Sequence, residues 1–142
     1  MSPDPIAALV HHYADAVVHR DVEQWRGTWT EDGIWDLGRA NRVEGRDAIV
    51  AAWQAAMDGF DAVIQIVFNG THHLDDGAGT GSGRWYIQES LRPIGGDPTL
   101  LVAHYNDTYR LDDGQWRFAQ RALVVHYAGP PDLSGPFLNA RG

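Results

Sequence analysis

Glu89, Asp107 and Arg121 are ionisable residues set inside β-rich, largely apolar stretches, with Tyr13, Tyr105 and Tyr109 elsewhere among the apolar positions. A carboxyl held among apolar side chains has its charged form disfavoured by desolvation, so its pKa rises toward that of a useful general base. Glu89, grouped with Trp85, Ile87 and Leu123, fits that description. Tyr13 or Tyr105 can donate a hydrogen bond to the oxyanion of an enolate, with Arg121 stabilising the same developing charge. The chemistry these residue types support is proton abstraction beside a carbonyl, leading to elimination, isomerisation or aldol-type closure. A second chemistry, opening of a strained ring such as an epoxide, needs an Asp–Arg–Asp relay around water, and its candidates are Asp107, Arg121 and Asp36. A third reading makes the chain a non-catalytic ligand-binding or dimerisation module, with Asp107 and Arg121 as a structural ion pair.

Two long strands must carry much of this set. His104 to Tyr127 reads as a hairpin around Asp112-Asp113-Gly114, since an Asp-Gly pair supplies the positive-φ positions of a tight turn. Pairing outward from that turn sets Tyr109 near Arg117, Asp107 near Ala119 and Tyr105 near Arg121. Strand side chains alternate in direction, so Tyr105, Asp107 and Tyr109 share a face with Arg117, Arg121, Leu123, Val125 and Tyr127. A plain core face would not carry Asp, Arg and three Tyr, so this face is read as the wall of a pocket. His104 and His126 have the opposite parity and belong on the outer surface.

The remaining elements follow in chain order. Asp4-Pro5 opens a helix whose Ile6, Leu9, Val10, Tyr13, Val17 and Val18 form one apolar stripe. Asp21 with Gln24 caps a short second helix presenting Trp25 and Trp29, closed by Thr30 to Gly33. A strand over Ile34 to Leu37 carries Asp36. A third helix after Gly45 shows Ile49, Ala52, Trp53, Ala56 and Met57 on one face. Sheet then occupies 62–69, 83–92, 100–111 and 115–127, joined by 72–81, 93–99 and the Asp-Gly turn. Register counted back from the hairpins gives one row of Gln65, Ile87, Tyr105 and Arg121 and another of Val63, Glu89, Ala103 and Leu123. Substrate-lining positions are thus Gln65, Trp85, Ile87, Leu123 and Val125 from strands, with Val17 and Trp53 from helices. The prolines of 128–142 make an irregular tail, placed to cover the pocket or a partner.

Helices first and a meandering sheet afterwards define an α+β class, a strongly curved antiparallel sheet wrapped around one long helix. A chain of 142 residues fits one domain, 1–142, and 44% hydrophobic content with six Trp argues for a packed globule. A net charge of −8 and pI near 5.1 argue against nucleic acid and for a small hydrophobic partner. The absence of cysteine removes thiol catalysis and thiolate metal sites. Neither His11-His12 nor His72-His73 converges on one ion, so no metal is expected. No signal sequence and no membrane span are visible, so cytoplasmic residence is the default.

The pattern Ile6-x-x-Leu9-x-x-x-Tyr13-Ala14-x-Ala16, Trp29-Thr30-Glu31-Asp32-Gly33, Glu44-Gly45-Arg46-x-Ala48-Ile49, Gly83-Arg84-Trp85-Tyr86, Tyr105-x-Asp107-x-Tyr109 and Asp113-Gly114-x-Trp116-Arg117-Phe118 resembles the SnoaL-like group of the nuclear-transport-factor-2-like superfamily. That superfamily includes ketosteroid isomerase, scytalone dehydratase, bile-acid dehydratase and polyketide cyclases. The resemblance implies a cystatin-like, cone-shaped α+β barrel, a pocket without a cofactor, and often a homodimer through the outer sheet face. It implies a lyase or isomerase acting on a hydrophobic cyclic or polyketide-like substrate. It also implies roles for Tyr13 and Glu89, retained from the bile-acid dehydratase pattern, for Arg121, near an active-site Arg of a dehydrochlorinase, and for Asp36, about one residue from the isomerase's catalytic Asp. The His–Asp pair of the dehydratases is replaced by Gln65 and Val18, which cannot titrate, so any base must lie elsewhere.

Overall fold

A computed structural model of the chain describes residues 4–138. Three helices, α1 (Pro5–His19), α2 (Val22–Arg26) and α3 (Arg46–Met57), accompany six strands: β1 (Trp29–Asp36), β2 (Arg42–Glu44), β3 (Phe60–Asp75), β4 (Thr80–Pro93), β5 (Thr99–Asp112) and β6 (Gln115–Gly129). The strands form one sheet in the order β2-β1-β6-β5-β4-β3. Neighbours are antiparallel except β1 and β6, which run parallel, so the expectation of a wholly antiparallel sheet is corrected at that seam. Parallel pairing follows from topology: β1 reaches β6 only after the whole meander has been laid down.

α1 lies in the concavity of the sheet because its apolar residues repeat at helical spacing. Ile6, Leu9, Val10, Tyr13 and Val17 are buried, whereas Val18, expected in the same stripe, is 37% exposed, one step past its edge. The Asp4 carboxylate accepts from the N–H groups of Ile6 and Ala7 and starts the helix. At the other end Arg20 takes a left-handed conformation, and its guanidinium donates to Met57 O at 2.9 Å and Phe60 O at 2.6 Å. This clamps the end of α1 to the α3–β3 connection. Trp25 of α2 stacks on Trp53 of α3 with centroids 4.4 Å apart, fixing those helices to each other. Trp29 is the first residue of β1 rather than part of the second helix, and it pairs with Phe118.

Strand lengths and register depart from expectation in an orderly way. The stretch 72–81 is mostly strand, because β3 and β4 stay paired as far as Asp75 and Thr80 and turn only over 76–79. Gly81 within it serves close approach, since a Cβ there would collide with the Leu74 side chain and His73 O. Bulges interrupt β3 between Val67 and Gly70, and β6 at Ala119 and at His126. Each inserts one residue, bends the sheet and resets facing. Consequently Phe118, not Arg117, faces the core beside Tyr109; Arg117 turns to Gly27 O and Gln115. Asp107 stands directly opposite Arg121, not Ala119, and Tyr105 opposite Leu123. Tyr127 pairs with Val102 on the outer face, where Phe137 of the tail bridges to it and its hydroxyl donates to Pro130 O at 2.6 Å. The tail up to Leu138 therefore packs outside the barrel and not over a mouth; residues 139–142 lie outside the described residues.

At the β3 bulge a Cβ on Gly70 would enter the indole ring of Trp85. Gly70→Ala is expected to destabilise the fold by about 1–3 kcal/mol through this overpacking. Thermal unfolding checks it, and an unchanged midpoint would mean that the strand can step aside.

Candidate active site

An internal cavity of about 140 Å³ opens between the C-terminal half of α1, α3 and the adjoining ends of β3 and β4. Tyr13 and Val17 reach it from α1, Trp35 from β1, and Trp53, Ala56 and Met57 from α3. The sheet contributes Phe60, Val63, Gln65, Glu89, Leu91 and Tyr105. Ala56 is exposed, and Phe60, Leu91 and Glu89 are partly exposed, so these residues form the rim.

Glu89 is the carboxyl in this lining. Burial pushes its pKa up to about 7, with a hydrogen bond from Gln65 acting in the opposite sense. Gln65 sits directly across from it on β3. Two phenols, Tyr13 and Tyr105, share the lining. Trp35 Nε1–H donates to the Tyr105 hydroxyl at 3.3 Å, and Tyr13 is hydrogen-bonded to the same oxygen. Burial raises the pKa of Tyr13, assisted by Tyr105, and burial also raises that of Tyr105, opposed by Arg121. Both phenols are therefore neutral at working pH. Because the Tyr105 oxygen already accepts from Trp35 and Tyr13, its own O–H remains to donate into the cavity.

Arg121 and Asp107 lie behind the tyrosines. The guanidinium donates to both carboxylate oxygens of Asp107 at 2.8 and 3.1 Å, and Tyr109 donates to the second at 3.1 Å. Its planar group stacks 4.5 Å from the Tyr13 ring centroid, 4.0 Å from Tyr105 and 4.1 Å from Phe118. Desolvation works against the Arg121 charge, but Asp107 and the two phenols hold its pKa above the usual value. Burial raises the Asp107 carboxyl against the pull of Arg121.

Of the sequence-predicted positions, the fold brings Tyr13, Val17, Trp53, Gln65, Glu89 and Tyr105 together. Asp36 is not among them. Its carboxylate accepts from Gly38 N–H in the β1–β2 turn at 2.9 Å, and alternation hands the inward direction to Trp35. Asp107 is committed to its ion pair, so the Asp107–Arg121–Asp36 relay that ring-opening hydrolysis requires does not assemble. Trp85, Ile87, Leu123 and Val125 keep the inner face but stand in rows beyond the cavity. Trp85 packs against His11 and His72. The predicted rows were displaced by one pairing step: Glu89 faces Gln65 and Leu101, and Ile87 faces Val67 and Ala103. Missed were Trp35, one residue from Asp36, together with Phe60 and Leu91; Leu91 was legible as two residues beyond Glu89 on the same face. The position of α1 that meets the cavity is Val17 rather than Val18.

A larger groove of about 470 Å³ between α1, α2 and the β5–β6 turn contains His12, Glu23 and Arg117, but Arg117 is held by Gly27 O and Asp112. His104 and His126 lie on the outer face as expected, with Nδ1 and Nε2 2.8 Å apart. Among the described residues no three His, Asp or Glu side chains gather as a metal site, and no helix is long and apolar enough to cross a membrane.

Fold and site together define a cystatin-like α+β barrel with a carboxyl and two phenols around an internal cavity. The chain belongs to the SnoaL-like domain family, whose model matches residues 3–122. Among solved structures it is similar to a putative scytalone dehydratase of Novosphingobium aromaticivorans, with 18% identity, TM-score 0.82, and 97% of this chain and 93% of that one covered. A hexachlorocyclohexane dehydrochlorinase of Novosphingobium barchaimii shares 17% identity over 96% of this chain and 93% of that one, with TM-score 0.80. A protein of unknown function with a cystatin-like fold from Nostoc punctiforme shares 19% identity, with 92% of each chain covered and TM-score 0.72. At these identities the likeness is one of fold. No curated protein matches the chain.

Proposed function

We propose that the cavity is the active site of a lyase or isomerase that works without a cofactor, abstracting a proton beside the carbonyl of a small hydrophobic cyclic or polyketide-like substrate. The observation that carries this reading is Glu89, whose pKa of about 7 sits at the working pH, in one cavity with the free Tyr105 O–H. A general base is most effective when its pKa lies near the operating pH. The substrate carbonyl accepts from Tyr105, whose donor strength is increased by the hydrogen bonds its oxygen receives from Tyr13 and Trp35. Ionised Glu89 takes the proton from the adjacent carbon, and the electron pair moves onto the carbonyl oxygen as an enolate. Arg121, stacked on both phenol rings, lowers the energy of negative charge there without touching the substrate. Return of the proton to a different carbon gives isomerisation; departure of a group from the next carbon gives elimination.

Cavity size limits the substrate. About 140 Å³ accommodates roughly one six-membered ring, with any further ring projecting past Ala56 and Phe60 at the rim. On the outer face of β3, exposed Ile64, Ile66 and Phe68 support the reading of that face as the surface of a homodimer.

Proton abstraction can be tested before the natural substrate is found. α-Tetralone incubated with the protein in D2O is expected to exchange the hydrogens beside its carbonyl, followed by NMR. The rate should rise with pH and level off above about 7, as Glu89 ionises. Exchange no faster than in buffer at every pH would exclude the reading.

A further inference from the structure

Arg20 closes α1 with φ 54° and ψ 38°, a left-handed conformation in which helices ordinarily carry glycine because a Cβ is strained there. The side chain kept against that strain makes two bonds. Its guanidinium donates to Met57 O at 2.9 Å and to Phe60 O at 2.6 Å. Met57 is the last residue of α3, where carbonyls run out of partners within the helix, and Pro93, opposite Phe60 in the sheet, has no N–H to give. A cation at that place also meets the negative end of the α3 dipole.

Met57 and Phe60 both line the cavity, and the segment from Ala56 to Phe60 forms one side of its mouth. Gly59 O, between the two clamped carbonyls, accepts from Ile94 N–H at 2.9 Å. The segment is therefore tied on one side to α1, which presents Tyr13 and Val17 to the cavity, and on the other to the residue that follows β4. We propose that Arg20 is a positioning residue that sets the aperture of the cavity: by holding Met57 and Phe60 against α1 it lets a flat ring project from the mouth and rejects a thicker group. This assignment rests on the reading of the cavity as a carbonyl site and adds what limits the projecting part of the substrate. Arg20 is not one of the lining residues, so it acts through the backbone of the rim and not on the reacting atoms.

The test compares deuterium exchange into α-tetralone, whose second ring is flat, with exchange into its tert-butyl derivative, substituted on the aromatic ring, each as kcat/KM above the rate in buffer. Wild-type protein is expected to favour the flat ketone by about tenfold, the scale on which an apolar pocket discriminates by bulk. Arg20→Gly suits the left-handed backbone while deleting the clamp, so it should fold and bring the two ketones to near parity. Arg20→Lys keeps the charge without the planar fork and should restore part of the preference. A purely structural loss lowers the folded fraction and slows both ketones alike, leaving their ratio unmoved. Equal rates for the two ketones in the wild type, or a ratio unchanged in Arg20→Gly, would overturn the proposal. Amide hydrogen exchange reads the clamp without any ketone: Ile94 N–H, bonded to Gly59 O, should exchange about tenfold faster in Arg20→Gly while the amides of β5 and β6 keep their rates. An unchanged rate at Ile94 overturns the proposal as well. Absence of exchange into either ketone would remove the carbonyl-site reading and the aperture together, whereas exchange with an unmoved ratio would remove the aperture alone.

Discussion

Glu89→Gln is expected to slow deuterium exchange into α-tetralone by on the order of a thousandfold, within the range that a positioned general base contributes. The substitution keeps the shape and the hydrogen-bonding capacity of the side chain but removes the group that can take a proton. Its pH profile should also lose the rise near 7. The same substitution has a second, independent consequence. A carboxyl normally titrating at 4.5 and raised to about 7 in the folded protein favours folding only in its neutral form. Below about 4.5 it is protonated in both states, and no difference arises. As pH increases from there to 7 the unfolded chain ionises first, so stability falls across that window and is level above it, by about 2–3 kcal/mol. Glu89→Gln should therefore raise the thermal midpoint at pH 8 and leave it nearly unchanged at about pH 4, a gain in stability at the expense of activity. Exchange at the wild-type rate in the variant would exclude Glu89 as the base. An equal midpoint shift at both pH values would show that its carboxyl is not held in an apolar setting.

Arg121→Met should be the most destabilising single change. The Asp107–Arg121 pair has no exposed side-chain surface, and removing the cation strands a buried carboxylate with the Tyr109 hydroxyl as its remaining donor. Breaking one side of a buried pair costs about 3–5 kcal/mol, because the remaining charge has no compensation. For a domain of this size that lowers the thermal midpoint by roughly 10–20 °C. Removing both charges, Arg121→Met with Asp107→Leu, should recover most of the loss, since apolar groups of similar volume replace a desolvated pair at little net cost. The comparison measures the pair's structural role separately from any effect on the phenols. A single variant as stable as wild type would mean that water reaches Asp107.

The same two residues show how far the sequence can be read. Alternation along β5 and β6 was enough to place Tyr105, Asp107 and Arg121 inside and His104 and His126 outside, because side-chain direction in a strand is set by the pleat. It was not enough to say which of them meet. The bulge at Ala119 moves Asp107 from Ala119 to Arg121, turning a proposed relay into a closed ion pair, and nothing in the local residues announces it. Asp36 failed for the related reason that one step along β1 exchanges inside for outside, giving Trp35 the cavity. Gly81 was taken as part of a connection, although it is a strand position that leaves room for Leu74.

By itself, then, the chain's periodicity determined three helices, four long strands and the inward facing of Glu89, Tyr13, Tyr105 and Arg121, while the resemblance of its motifs implied an α+β barrel family. The tertiary structure alone decided the parallel β1–β6 seam, the row in which Glu89 meets Gln65, the outer position of the tail and the small volume left between α1, α3 and the sheet. The physical reason is one of range. Facing is a local property of backbone geometry, repeated every second residue. Register, bulges and the space between layers are set by contacts between segments far apart in sequence, and they exist only once the sheet has closed around the helix.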